Sequence, residues 1–205
     1  MKIFFLLNLL IFSNSHAFST TSPFRGYSKI NQIIHERVAQ DNGFELGQYL
    51  DKVAIAPQTG DLLSLLGTYD GADTNSTYRN GDPNSINMLL WYIVLDGLAV
   101  AIAGQCDGGT AAMVADGPVK PLVLRPAFSA ALRPLCAWPD ASAKTDAVLF
   151  GFWSGLVGFD APPEEFQAWK TYFLDQTQSD QTNASAVIAD MGLAALFNPY
   201  FLLEE

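Results

Sequence analysis

The acid best placed for chemistry in this sequence is Asp96, which interrupts an otherwise apolar stretch over residues 86–103. A carboxyl group in apolar surroundings is costly to ionise unless a partner stabilises its charge. Such a group can act as a general acid or contact a ligand, and glycoside hydrolysis uses two carboxyl groups at a defined separation. The alternative is a structural cap or a buried salt bridge to Arg79, Arg125 or Arg133. Both interpretations of Asp96 stay open at this point.

A second group of oxygen ligands lies in the polar segment 68–83. Asp70, Asp73, Asn75 and Asp82 carry the hard oxygen atoms that Ca²⁺ prefers. Their spacing does not match the calcium loop of an EF-hand, and Asp and Asn are also ordinary turn residues. The segment is therefore either a weak calcium site or a solvated loop.

Histidine chemistry is restricted, because His16 and His35 are the only histidines in the chain. Multi-histidine zinc and copper sites are excluded. The sequence also contains no nucleophile elbow, no P-loop and no dinucleotide-binding glycine motif. We expect no cofactor other than calcium, and a non-catalytic role is favoured over an enzyme.

The tryptophans divide into two classes. Trp91, Trp153 and Trp169 lie on apolar helical stripes, which predicts that they pack in the core. Trp138 follows Cys136 outside any predicted helix, so it is the candidate for an exposed contact with a ligand or a partner.

Residues 1–17 have the pattern of a signal peptide. Lys2 precedes an apolar stretch over residues 3–12, and the small residues Ser15 and Ala17 precede the expected cleavage point. This stretch is too short to span a bilayer, which needs about 20 apolar residues. We therefore expect a secreted or periplasmic protein with no transmembrane helix in its mature form.

Cys106 and Cys136 are the only cysteines, and in an exported chain such a pair predicts a disulfide. The segment between them is rich in Gly and Pro, so closing it would stabilise the fold by about 3–4 kcal/mol. Two buried free thiols or a redox pair are the alternatives, although the chain lacks the C-x-x-C spacing of thioredoxin-like proteins.

The charge of the chain is strongly acidic. Eleven basic and 21 acidic residues leave a net charge of −10, which becomes −11 once Lys2 is removed with the signal peptide. Nucleic acid is therefore an unsuitable partner. Residues 146–205 hold nine acids and only Lys170, a net charge of −8. This is either a solvated face of the last helices or a docking face for a basic partner.

The hydrophobic periodicity predicts a mostly α fold, with one compact helical domain over residues 18–205 and one long disulfide-stapled loop. We expect helices over 30–40, 44–55, 62–66, 86–103 and 144–159, one opened by the Pro-Pro-Glu-Glu segment 162–165, and a last one capped by Thr182 or Asn183. A strand pair around Asp96 is the alternative for the longest apolar stretch. The clearest strand candidate is the short segment 121–124.

These patterns favour an exported accessory or binding protein that acts through a protein-interaction surface. One alternative is a secreted hydrolase that uses carboxyl groups near Asp96 or in the 70–82 loop. Another is a carrier that holds an apolar small ligand between its aromatic helices.

Overall fold

A computed structural model describes residues 27–40, 44, 46–49, 85–108, 121–159, 161–176 and 183–202. Of these residues 80% are helical, which confirms the mostly α fold. The α-helices are α1 Tyr27–Arg37, α2 Ser85–Ala103, α3 Pro126–Leu132, α4 Asp146–Val157, α5 Pro163–Gln176, α6 Ala184–Leu196 and α7 Pro199–Leu202. Short 3₁₀ turns occupy Leu46–Tyr49, Gly104–Asp107, Arg133–Ala137 and Ala141–Lys144.

Helices α2 and α6 pack against each other in antiparallel orientation. Tyr92, in the first half of α2, lies 6.1 Å, between ring centroids, from Phe197 just after the end of α6. At the other end, Ser185 at the start of α6 donates a 2.6 Å hydrogen bond to Asp107, beyond α2. α2 is thus a core helix, as its nearly continuous apolar sequence predicts, and not a strand pair.

The stretch Leu90–Asp107 is long and apolar enough to cross a membrane by length and composition, and 56% of it is buried inside the structure. Core helices of globular proteins pass the same test. Packing of α2 against α6 and its other neighbours accounts for this apolar composition.

The disulfide between Cys106 and Cys136 is present, and it joins two 3₁₀ turns that are 30 residues apart in the chain. A structural disulfide indicates a compartment outside the cytoplasm, where thiols are not kept reduced. The segment that it closes contains helix α3, which begins at Pro126. Proline suits the first helical position because its missing N–H has no partner there.

Residues 121–125 do not form a strand. They run beside the end of α1, where Ala39 and Leu124 make one isolated antiparallel bridge. The Arg125 amide donates a 2.8 Å hydrogen bond to the Val38 carbonyl, and the Gln40 amide donates one of 2.7 Å to the Val123 carbonyl. This contact attaches α1 to the disulfide-closed segment.

The cap of helix α6 and the return of α7 to the core complete the fold. Asn183 caps α6, since its side-chain oxygen accepts hydrogen bonds from the amides of Ser185 and Ala186. After Asn198, helix α7 returns to the core and buries Phe201 completely. The largest fully buried side chains elsewhere belong to α1, α2 and α4 and the segments near them: Trp153, Phe44, Phe152, Ile30, Ile34, Leu46, Leu95, Leu98, Ile102 and Leu135.

Several sequence predictions fall on residues outside the described ranges. These are the signal peptide at 1–17, the helices over most of 44–55 and at 62–66, and the 70–82 loop. The domain limits 18–205 also stay a prediction.

Candidate functional site

Two aromatic side chains, one within helix α4 and one just after it, are exposed and in contact. Phe150 is 37% exposed and Phe159 is 79% exposed. Phe150 lies at the margin of the buried stripe of α4, where its ring contacts that of Trp153 at 6.2 Å. The two exposed rings meet edge-to-face with centroids 6.2 Å apart. We call this pair the Phe150–Phe159 patch.

The Phe150–Phe159 patch continues into the core as a chain of aromatic contacts. Phe150 packs edge-to-face on Phe166 of α5 at 5.1 Å, and Phe166 lies 5.6 Å from the buried ring of Trp153. Phe166 also contacts Trp169, whose ring lies 5.3 Å from Phe173. Aromatic pairs at these separations stabilise one another beyond simple burial. The exposed rings therefore rest on a rigid base.

Helix α5 is itself held in place by a polar contact from this base. The indole nitrogen of Trp169 donates a 3.2 Å hydrogen bond to the Met191 carbonyl of α6. Trp169 is 7% exposed, so the hydrogen bond satisfies a buried donor. The aromatic base is thereby connected to the α2–α6 pair at the centre of the fold.

The backbone at Gly158 directs Phe159 outward. Gly158 ends α4 with φ 108° and ψ 167°, a conformation that only glycine adopts at low cost. The chain therefore turns sharply between Val157, which is buried, and Phe159, which is not.

Charged side chains of both signs lie near the patch. Asp146, one turn before Phe150, forms a 3.0 Å salt bridge with Lys170 of α5. The Asp146 side chain is 70% exposed and that of Lys170 is 16% exposed. Glu164 in the first turn of α5 is exposed, and Glu165 accepts a 3.3 Å hydrogen bond from the side-chain amide of Asn198. Acids in the first turn also stabilise α5 through the helix dipole.

Asp96 lies in a second cluster, with Tyr92, Asp190 and Tyr172. Burial raises the pKa of Tyr92 above 10.0, and the negative charges of Asp96 and then Asp190 raise it further. Burial and then Asp190 also raise the pKa of Tyr172. Asp96 is half-buried in α2. Its role as a ligand contact or an acid stays a prediction.

The expectation of an exposed Trp138 is wrong. Its side chain is 4% exposed, because the 3₁₀ turn Arg133–Ala137 and the turn after it fold the indole into the core. The Lys144 ammonium lies 4.7 Å from the centre of the ring. Within the described ranges the indole nitrogen has no hydrogen-bond partner. By contrast, the core positions predicted for Trp91, Trp153 and Trp169 are confirmed.

The calcium ligands proposed from the sequence, Asp70, Asp73, Asn75 and Asp82, lie outside the described residues. Among the residues that the structure describes, no three His, Cys, Asp or Glu side chains are grouped to hold a metal ion.

Comparisons of the chain with protein-family models, with curated proteins and with solved structures find no match. The function must therefore be argued from the site itself.

Sequence reasoning did not identify Phe150 and Phe159 as surface residues. The available signal concerns Phe159, which follows the glycine that ends α4 and so lies beyond its buried stripe. Phe150 lies at the margin of that stripe, and only the packing of α5 decides how much of its ring stays exposed.

Proposed function

We propose that this protein is an exported, non-catalytic binding protein that acts through the Phe150–Phe159 patch. The observation that carries the proposal is the 79% exposure of Phe159 beside a half-exposed Phe150. Burial of one phenylalanine side chain is worth about 1.5–3 kcal/mol, a gain that is not realised for Phe159 within its own chain.

The support beneath the patch favours binding over chance exposure. Aromatic side chains, including Phe, are enriched in protein–protein interfaces relative to the rest of the surface. Phe150 is held by Phe166 and Trp153, and Phe159 is held by Phe150. A partner that buried the patch would therefore lose little conformational entropy in ordering these rings.

The proposal that the protein is exported to the periplasm or the medium rests on two features. Residues 1–17 have the composition and order of a signal peptide. The Cys106–Cys136 disulfide supports an oxidising compartment. Mass spectrometry of the mature N-terminus, isolated from the native host, tests this part of the proposal; a chain that begins at Phe18 is expected.

The binding role is tested by affinity capture from the native exported fraction with three versions of the full chain. These are the wild type, Phe159→Ala, and Val100→Ala as a control that removes another exposed apolar side chain, 42% exposed on α2. We expect a stoichiometric partner with the wild type and the control. Phe159→Ala should weaken its binding by about 30-fold, the effect of a central interface residue worth about 2 kcal/mol.

Because Phe159 is mostly exposed, its removal should leave the thermal unfolding midpoint unchanged. Equal capture by all three versions, or capture of nothing in stoichiometric amount, would contradict the proposed function.

A further inference from the structure

We infer that Arg37 of helix α1 is a positioning residue of the Phe150–Phe159 patch: its guanidinium packs on Gly158 and fixes the direction in which Phe159 leaves helix α4. The inference rests on the proposed function, because it assigns the residue that holds the binding surface in place. Arg37 belongs to a different helix, far from the patch in the sequence, so no pattern within residues 146–159 identifies it.

Phe159 has little support of its own. Its side chain is 79% exposed, and the ring contact described for it is the edge-to-face contact with Phe150 at 6.2 Å. The residue before it is glycine, which has more backbone freedom than any other residue. Gly158 therefore permits the turn with φ 108° but does not enforce it. The direction of Phe159 has to be fixed by a contact from outside α4.

The guanidinium of Arg37 supplies this contact. A Cβ atom at position 158 would lie 2.9 Å from Arg37 Nη1, 3.1 Å from Nη2 and 3.2 Å from Cζ. The guanidinium thus lies directly against the Gly158 backbone, in the space that a side chain at this position would otherwise fill. It restricts the backbone of Gly158 in place of the side chain that glycine lacks.

A hydrogen bond holds the guanidinium in this position. Arg37 Nη1 donates 3.2 Å to the Leu156 carbonyl, and the Gly158 amide donates 2.9 Å to the Ser154 carbonyl. Carbonyls at the end of a helix have no partner within it, so a cationic donor is favourable there. The last turn of α4 and the residue after it are therefore held together by Arg37.

The backbone of Arg37 is itself held by the disulfide-closed segment. Arg125 Nε donates a hydrogen bond to the His35 carbonyl, and the Arg125 amide donates one of 2.8 Å to the Val38 carbonyl. These two hydrogen bonds lie on either side of Arg37 in the chain. The guanidinium therefore extends from a fixed backbone, as a positioning group requires.

Nuclear Overhauser effects between phenylalanine rings test the inference in the full exported chain, without a partner. The wild type should show one effect between Phe150 and Phe159 and another between Phe150 and Phe166. In Arg37→Gln the first should be lost, because no guanidinium then restricts Gly158, while the second should remain. A merely structural role for Arg37 would weaken both effects or neither.

Arg133→Gln, at an exposed arginine in the 3₁₀ turn after α3, is the control and should change neither effect. If Arg37→Gln does not fold, Arg37→Lys is measured in its place with the same expectation, because lysine keeps the charge but lacks the planar fork. Retention of the Phe150–Phe159 effect in the Arg37 variant would overturn the inference. Loss of both effects in a variant that still folds would also overturn it.

Affinity capture from the native exported fraction relates this positioning to binding. In Arg37→Gln a partner would have to order the Phe159 ring itself, so binding should weaken by about two- to tenfold, less than the loss expected for Phe159→Ala. Equal capture by Arg37→Gln and the wild type, with weaker capture by Phe159→Ala, would overturn the inference and leave the proposed function intact. Equal capture by Phe159→Ala and the wild type would instead contradict the proposed function, and the ring effects would still decide whether Arg37 fixes Phe159.

Discussion

Arg37 Nη1 donates a 3.2 Å hydrogen bond to the carbonyl oxygen of Leu156, 119 residues further along the chain. The last carbonyls of a helix have no partner within it, and a positive charge near them is favourable. Arg37 thus joins the end of α1 to the end of α4. Its guanidinium also fills the space beside Gly158, directly before the exposed Phe159.

Gly158→Ala should destabilise the fold by about 1–3 kcal/mol, because φ 108° with ψ 167° is strained for any residue with a Cβ. The added methyl would also lie 2.9 Å from Arg37 Nη1 and displace the guanidinium. Chemical denaturation measures the loss. Gly151→Ala is the matched control: its Cβ would make an ordinary 3.8 Å contact with Ala131, and alanine favours the helix by about 0.5–1 kcal/mol. Equal effects of the two changes would contradict this account.

Gly155→Ala tests the close approach of helices α3 and α4. A Cβ at this position would lie 2.7 Å from the ring of Phe128, which is buried and packed on Phe152. Because this ring is buried, a shift of it would disturb its packing, so we expect a loss of about 1–3 kcal/mol in the free energy of unfolding. Gly192→Ala in α6 would make an ordinary 3.5 Å contact with Ala99. This control should be neutral or stabilising by about 0.5 kcal/mol, and a loss as large as that of Gly155→Ala would contradict the prediction.

Removing the disulfide with Cys106→Ala and Cys136→Ala together should lower the free energy of unfolding by about 3–4 kcal/mol, since the bond closes a 30-residue separation. Adding a reductant to the wild type should produce a similar loss in denaturation experiments. The double variant should not respond to the reductant. A wild type whose denaturation midpoint is unaffected by full reduction would show that the segment is ordered without the bond.

Alkaline pH should destabilise the fold through Tyr92 and Tyr172. Their folded pKa values are raised above 10.0 by burial and by nearby acids, so the unfolded chain ionises first as pH rises. The stabilisation that these two tyrosines contribute is fully present below pH 10, and it is lost as pH rises through their folded pKa values. The absorbance of tyrosinate, followed in a pH titration, measures these values directly.

Two acid variants separate the causes of the tyrosine shifts. Asp190→Asn should lower the pKa of both Tyr92 and Tyr172, whereas Asp96→Asn should lower that of Tyr92 alone. Tyr92→Phe identifies the titration step of that residue. If both tyrosines titrate at the ordinary value in the folded protein, the cluster around Asp96 and Asp190 has been placed wrongly.

Local sequence patterns determined most of the helices that the structure describes. The apolar periodicity predicted α2 to within one residue, the Pro-Pro-Glu-Glu segment 162–165 marked the start of α5, and Asn183 was one of two predicted caps of α6. These features depend on residues within one or two turns, so they can be recognised without knowledge of the rest of the chain. The disulfide was predicted for a similar reason, because the chain offers only one pair of cysteines.

Helix α3 and Trp138 were not predicted correctly, because their states depend on distant contacts. Pro126 was treated as part of a loop, although it is the first residue of α3. Trp138 has no helical stripe around it, and only the packing of the disulfide-closed segment buries its ring.

The sequence by itself determined the helical class, the cysteine pairing, the acidic C-terminal charge and the restricted range of histidine and metal chemistry. Only the tertiary structure decided which aromatic rings are left exposed, because exposure depends on which helix faces pack together. It placed Phe150 and Phe159 side by side on a base formed by α4 and α5. It also brought Asp96 and Asp190, 94 residues apart, to the same tyrosine.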